Sequence, residues 1–359
     1  MPTAATHAAV RDRIEADELA RLSPLAAQSA AARRARDEQE SPVRTRFQRD
    51  RDRILHSKPF RRLKHKTQVF IAPLGDHYRT RLTHTLEVTQ IARTVARALR
   101  LNEDLVEAIG LGHDLGHTPF GHAGEVAISH AQGSSFRHNE QSLRIVEVLL
   151  KDGQGLNLTE PVREGIYMHS KGRASVASKA WGNASTLEGQ IIKIADAVAY
   201  INHDIDDAIR AGVISQADLP QDVLAELGQT HAARINTMVC DLIDANWWAT
   251  GEGQPPAEPL LAMSQRMLAL TNALRDFMYE RVYLNSRAKE DDGKVRKMIE
   301  LLYNHFKDHP EQLPAELRAI NTQRGEPIER AVIDHIAGMT DRYAIQVFNS
   351  LYVPRTWGA

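Results

Sequence analysis

The stretch GLGHDLGHTPFGHAGE, residues 110–125, holds three histidines, an aspartate and a glutamate within sixteen residues. His113 and Asp114 are neighbours. Adjacent side chains on a helix diverge by about 100°, so both can reach one point only near a helix end or bend. Gly112 and Gly116 flank the pair and permit that bend. Just upstream, Asn102 is a good N-cap, and Glu103 and Asp104 place carboxylates in the first turn, where the helix dipole favours them. A helix is therefore expected from there to about Gly112, with His113 and Asp114 at its end.

Working outward, Leu82, Leu86, Ile91, Val95 and Leu99 recur at helical spacing and predict a helix over 81–100 that carries His84. Residues 137–151 and 187–211 read as two more helices, the second stopped by Gly212. On the long helix, Ile191, Ile194, Val198, Ile201, Ile205 and Ala208 form an apolar stripe. Asp196, Tyr200, His203 and Asp207 share another face, with Asp204 bordering it. One side is expected to build core and the other to line a polar pocket.

His84, His113, Asp114 and Asp196 together offer two imidazoles and two carboxylates. Imidazole suits Zn, Fe, Ni and Cu, and carboxylate suits Mg and Mn, so the mixed set fits a divalent first-row metal with room for water. Metal-bound water is a strong nucleophile near neutral pH, which points to a metal-dependent hydrolase. Taken alone, a His-Asp pair is a weak signal, since a lone His or Asp on a helix more often caps it or faces solvent. The crowding of His113, His117, His122, His130 and His138 is hard to explain by packing.

The 359 residues suffice for a large core, and 42% hydrophobic and 25% charged residues are ordinary for a globular protein. A net charge of −1 selects no class of partner. Cys240 is the only cysteine, so no internal disulfide can form. No apolar run approaches the roughly 18 residues of a membrane span, and the N-terminus does not read as a signal peptide. The expectation is a cytoplasmic protein without a membrane partner.

Helical signals dominate throughout. Residues 1–43 read as an Ala- and Arg-rich arm, mobile or packed on another subunit. A core follows over 44–250. Residues 251–259, rich in Gly and Pro, mark a joint before a helical C-terminal part, 251–359. Residues 171–186 read as an irregular loop. Residues 44–66 hold ten Lys/Arg against Asp50 and Asp52, the strongest local charge bias. The fold class is all-α, a helical core with an N-terminal arm and a helical C-terminal extension.

GLGHDLGHTPFGHAGE, with RLTHTLEV (81–88), FRHNEQSLR (136–144), IADAVAYINHDIDDAIRAG (194–212) and SKPFRRLKHKTQVF (57–70), resembles the HD superfamily. More narrowly, it is similar to the dGTPase family of deoxynucleoside triphosphate triphosphohydrolases. The similarity is strong over 45–212 and continues more weakly into RVYLNSRAKEDDGKVRKMIELLYNHF (281–306). It implies an HD-domain helical core and a divalent metal (Mn, Mg, Fe, Ni or Co). It implies hydrolysis of a dNTP to a deoxynucleoside and inorganic triphosphate, with dGTP or a broader dNTP range as substrate. Carried over by motif position, His84, His113, Asp114 and Asp196 are the metal ligands. His117, His122 and His138 surround the scissile phosphate, and Glu125 and Glu140 stand where acidic partners orient a catalytic histidine. Gln68 and Asp204 match contacts to the sugar 3′-hydroxyl, and Tyr200 a residue that packs on the sugar. The resemblance also implies a homo-oligomer, tetramer or hexamer, and leaves room for an allosteric dNTP. Some family members carry a lysine just after the final metal aspartate, where this chain has Ala197.

The chemistry needs water to attack the α-phosphorus and a proton for the leaving 5′-oxygen. Histidine supplies one near pH 7, and His117, His122 and His138 all qualify. Arg62, Lys64 and Arg81 suit the phosphates, since Arg pairs bidentately with them; Arg44 to Arg53 read as solvated surface charge. Two other readings stay open: another HD-type nucleotide phosphohydrolase, or a regulator that binds single-stranded nucleic acid or nucleotide through 44–66 around a structural metal. The second lacks interleaved aromatics, Phe47 and Phe60 being the only ones in the stretch.

Overall fold

The computed structural model describes residues 4–68, 79–170, 183–283 and 291–354. Among them are sixteen α-helices and no strand. In chain order they are α1 (Ala4–Arg21), α2 (Arg46–Leu55), α3 (Lys58–Arg62), α4 (Arg81–Ala98), α5 (Glu103–Gly112), α6 (Gly121–Gln132), α7 (His138–Arg144), α8 (Glu160–Met168), α9 (Leu187–Arg210), α10 (Gln221–Leu227), α11 (His231–Ala245), α12 (Gln265–Met278), α13 (Asp292–Asp308), α14 (Ala315–Arg324), α15 (Ile328–Ala337) and α16 (Asp341–Tyr352). The expected all-α class holds. No described helix is long and apolar enough to cross a membrane. Of the loop expected over 171–186, residues 171–182 lie outside the described residues.

The chain forms two compact units that interleave in sequence. The first comprises Met1–Ser57, His84–His113 and Leu156–Asn285, and the second Lys58–Thr83, Asp114–Gly155 and Ser286–Ala359.

In the first unit, α9 behaves as its periodicity predicts, with all six stripe residues from Ile191 to Ala208 buried. Its N-cap Thr186 accepts from the Gly189 amide, and Gly212 lies just past its end at φ +67°. α5 is capped by Asn102, whose side chain accepts from the Leu105 amide, and it ends at Gly112 as expected. α5 lies against α2, α8 and α9. Gly112 and Gly165 make that fit possible, because a methyl on either would press into Ile166 or Ile109. On α4 the buried face is Val88, Ile91, Ala92 and Val95, with buried Leu99 just past its end, while Leu86 is exposed. The spacing that included Leu86 therefore picked the wrong edge of the stripe.

Residues 44–53 differ from expectation. Arg44 is exposed as expected, but Arg46, Arg49, Arg51 and Arg53 form one half of an ion-pair lattice. Arg53 pairs with Glu38 at 2.7 Å, Arg46 with Glu40 at 2.7 Å, and Arg51 with Asp104 and Glu107, each at 3.3 Å. Buried Asp50 is held by Arg34 and by the Thr159 amide and hydroxyl. Asp52 within the stretch pairs with Arg44 and Arg51, but Glu38, Glu40, Asp104 and Glu107 come from outside it, beyond the reach of local charge counting. Residues 23–36 are also stitched in: the Ser23 amide donates to the Arg100 carbonyl and the Ala27 amide to Glu188.

In the second unit, Ala127 and Ile128 of α6 meet Val295, Ile299, Leu302 and Phe306 of α13, with Val332 and Ile336 of α15 in the same apolar cluster. The α7 helix stops at Arg144 and widens into a π turn over Ile145–Leu149, so the helix expected over 137–151 is shorter and less regular. Arg144 forms ion pairs with Asp334 and Glu326.

Gly116 sits where the chain crosses the start of α7. A methyl there would fall far inside van der Waals distance of the Ser142 nitrogen and the His138 carbonyl. Gly116→Ala is expected to cost about 1–3 kcal/mol through overpacking and to shift His138. A thermal melt checks this, and a wild-type melting temperature would contradict it.

Candidate active site

In the first unit, His84 on α4, His113 at the end of α5 and Asp196 on α9 converge. His84 Nε2 lies 3.1 Å from Asp196 Oδ1, and the His84 and His113 ring centroids are 5.7 Å apart. His113 is wholly buried, and its Nδ1 lies 2.7 Å from the Gly110 carbonyl oxygen. A carbonyl only accepts, so Nδ1 carries the hydrogen and neutral His113 has its lone pair on Nε2. That is the tautomer of a metal-ligating histidine with its other nitrogen tied back to the main chain. Burial raises the Asp196 pKa, but His84, His113 and His169 together hold the carboxyl below the usual range. It stays ionised, as a ligand must. His169 carries no local sequence signal, yet it repeats the His113 geometry, with Nδ1 2.7 Å from the Ile166 carbonyl and its ring 5.0 Å from that of His113.

Farther along α9, Tyr200 is half-exposed and Asp204 is fully buried. The Tyr283 hydroxyl donates to Asp204, and the Tyr200 and Tyr283 rings lie 6.1 Å apart. Burial pushes the Asp204 carboxyl up to about 7, against the opposing bond from Tyr283. Near neutrality it is therefore part protonated and can donate as well as accept. Tyr283 lies 79 residues from Asp204 in sequence, and nothing in its neighbourhood announces the pairing.

In the second unit, Asp114, His117 and His138 offer ligand atoms all within 4.8 Å of one another. Arg81 Nη1 donates to Asp114 Oδ2 at 3.0 Å. His117 Nε2 is 3.2 Å from Asp114 Oδ1 and its Nδ1 3.3 Å from Glu125 Oε1. His138 Nδ1 reaches the same Glu125 oxygen at 2.8 Å. The two imidazoles stack with centroids 3.9 Å apart and planes 14° from parallel. Two positive rings at that distance repel, so one takes the proton. Burial drives the His117 pKa well below its ordinary value, and Arg81 and His138 add to it. Burial also lowers His138, but Glu125 more than offsets it and leaves that pKa raised. Glu125 in turn is desolvated, yet His138, His122 and His117 keep it ionised. Between the two rings, the proton is therefore favoured on His138 over His117.

The other expected residues fall outside this cluster or at its rim. His122 is exposed, its Nδ1 3.6 Å from Glu125. Glu140 is exposed and lies 3.8 Å from Arg137; it is Glu125, not Glu140, that holds a histidine. Arg62 donates to the Gly338 carbonyl from an exposed position, and Lys64 is exposed. Gln68 is buried. His130 pairs with Glu300 on the surface. Lys66 was overlooked within its basic run. It is buried and donates to the carbonyls of His117 and Ala337, and burial pulls it down to about 7. Beside it, Asp341 accepts from the Thr67 and Phe120 amides. Together they hold the turn at Phe120, whose φ of +62° is left-handed.

Residues 81–201 match the HD domain family, and residues 261–350 the phosphohydrolase-associated domain. A deoxyguanosinetriphosphate triphosphohydrolase-like protein of Caldanaerobacter subterraneus subsp. tengcongensis is 53% identical, over 97% of this chain and 97% of its own. Proteins of the same description from Desulfatibacillum aliphaticivorans and Clostridium tetani are 44% and 43% identical. They cover 96% of this chain and 98% and 97% of their own. The chain belongs to the dGTPase-like family of HD-domain proteins.

Proposed function

We propose that this HD-domain hydrolase cleaves deoxynucleoside triphosphates, dGTP or a broader dNTP range, into deoxynucleoside and inorganic triphosphate. The observation that carries the reading is the stacked pair of His117 and His138, both within 3.3 Å of the same Glu125 oxygen. His84, His113, Asp114 and Asp196 would hold a divalent ion, their donor set suiting Mn, Mg, Fe, Ni or Co. That ion would supply Lewis acidity and a water of lowered pKa.

The remaining chemistry belongs to the chain. His138, charged and backed by Glu125, gives its proton to the leaving 5′-oxygen. His117, neutral and bonded toward Asp114, orients rather than protonates. Arg81 brings a buried guanidinium against the phosphates while bracing Asp114. Tyr200 packs on the sugar, and Asp204, able to donate or accept, takes the 3′-hydroxyl, with Gln68 as its second contact. Arg62 and Lys64, both exposed, serve the outer phosphates. The internal pairing of Arg44 to Arg53 removes most of the charge that would favour nucleic acid as the main ligand.

Incubation with each of the four dNTPs, with Mn²⁺ or Mg²⁺ and without metal, tests this directly. Metal-dependent release of nucleoside and triphosphate is expected. Release of orthophosphate or pyrophosphate, or turnover without metal, would overturn the reading.

A further inference from the structure

We propose that Asp341, in the phosphohydrolase-associated region, is a positioning residue that fixes Gln68, the sugar contact, against the turn that follows His117. The role rests on the substrate reading above. All the groups involved belong to the second unit. Asp341 is the first residue of α16, is buried, and uses both carboxylate oxygens. Oδ1 accepts from the Phe120 amide at 2.9 Å. Oδ2 accepts from the Thr67 amide at 3.0 Å and from the Thr67 hydroxyl. One side chain thus joins two segments far apart in the sequence. The charge suits its place, since the first turn of a helix favours a carboxylate and the buried Lys66 ammonium attracts it. Lys66 holds the other end of the same turn through the His117 carbonyl, and bonds also to the Ala337 carbonyl at the end of α15.

The backbone there needs such a hold. Phe120 sits at φ +62° and Gly121 at φ +54°. A phenylalanine in the left-handed region persists only where its surroundings fix it. The 67–68 backbone lies directly against this turn. A methyl on Gly121 would come within 3.2 Å of the Gln68 carbonyl oxygen and 2.9 Å of Arg81 Nη2. Thr67 also bridges to Thr80, and the Arg81 amide donates to the Lys66 carbonyl at 3.1 Å. Asp341 therefore sets where Gln68 and Arg81 stand relative to His117. Gln68 is buried, and its side-chain oxygen has no hydrogen-bond partner among the described residues. A buried acceptor left in that state is costly, and a sugar hydroxyl is the donor that would satisfy it. Thr67, its chain neighbour, is where Asp341 takes hold.

The test compares kcat/KM for each dNTP with that for its 2′,3′-dideoxy counterpart, which lacks the 3′-hydroxyl. It uses the full-length protein with Mn²⁺, and thermal melting of the same samples reports folding. Asp341→Asn keeps the shape but turns one acceptor into a donor, so Phe120 or Thr67 loses its partner. The dNTP value is expected to fall about 10- to 100-fold, the scale of a displacement near 1 Å. The dideoxynucleotide, which offers Gln68 no hydroxyl, is expected to lose severalfold less, so the preference for the dNTP shrinks. Thr67→Val removes one hydroxyl and should shrink it in the same direction, but less. Added to Gln68→Ala, Asp341→Asn should leave the remaining preference unchanged, because the two act through one contact. An equal loss on both nucleotides would make Asp341 a merely structural residue and overturn the proposal. Wild-type kinetics in Asp341→Asn, or in Thr67→Val should Asp341→Asn not fold, would overturn it as well. A wild-type enzyme that cleaves dNTPs without favouring them over dideoxynucleotides would overturn it too, by taking Gln68 off the sugar while leaving the triphosphohydrolase reading standing. No dNTP turnover at all would overturn both.

Discussion

Asp114→Asn and His113→Ala are each expected to lose bound metal and turnover together. Asp114 is buried, is paired with Arg81 at 3.0 Å and follows His113 through a single peptide bond. The pair stands at the end of α5, where neighbouring side chains are free of the helical divergence of about 100°. His113 is locked by Gly110 in the tautomer that frees Nε2. Removing either takes one donor from four, and turnover should fall roughly 10³-fold or more if the ion generates the nucleophile. Asn is chosen at 114 because full truncation would leave a buried guanidinium unpaired, at a cost of about 3–5 kcal/mol. Metal content and steady-state kinetics on folded protein decide the matter. Activity that survives either change would refute the ligand assignment.

The second large effect belongs to His138. His138→Gln should lower kcat by about 10²–10⁴-fold, the usual range for a lost general acid. The sign of the pH dependence follows from its environment. Burial disfavours the charged ring, but Glu125 at 2.8 Å outweighs it, so the folded pKa lies above the ordinary value. The acid form therefore persists to higher pH, and kcat should fall as pH rises through that raised value. Glu125→Gln removes the group that raises it, so the alkaline limb should move to lower pH. A kcat profile unchanged by Glu125→Gln, or full activity in His138→Gln, would remove His138 from the acid role.

Much of this arrangement is written in local spacing. The α9 stripe, the Asn102 cap and the α5 end are i to i+3 and i+4 relations, and a linear reading finds them because both partners lie within one or two turns. The 110–125 string works in the same way: His117 and Glu125 come within 3.3 Å across eight residues. What stayed hidden has partners far along the chain. Glu140 follows His138 closely in sequence, yet Glu125, thirteen residues back, is the carboxylate that reaches it. Lys66 and Lys64 are alike in sequence, and only the carbonyls of His117 and Ala337 set one apart. Leu86 fits a helical stripe by number but stands on the exposed side. Arg46, Arg49, Arg51 and Arg53 looked solvated because most of their acids lie at 38, 40, 104 and 107.

The central claim is that four side chains, His84, His113, Asp114 and Asp196, hold one cation. Anomalous diffraction at the manganese edge from crystals grown with Mn²⁺ tests it most directly. The account predicts a single strong peak within about 2.0–2.2 Å of an imidazole nitrogen from each histidine and a carboxylate oxygen from each aspartate. A peak elsewhere, or no peak with those four side chains ordered, would contradict it.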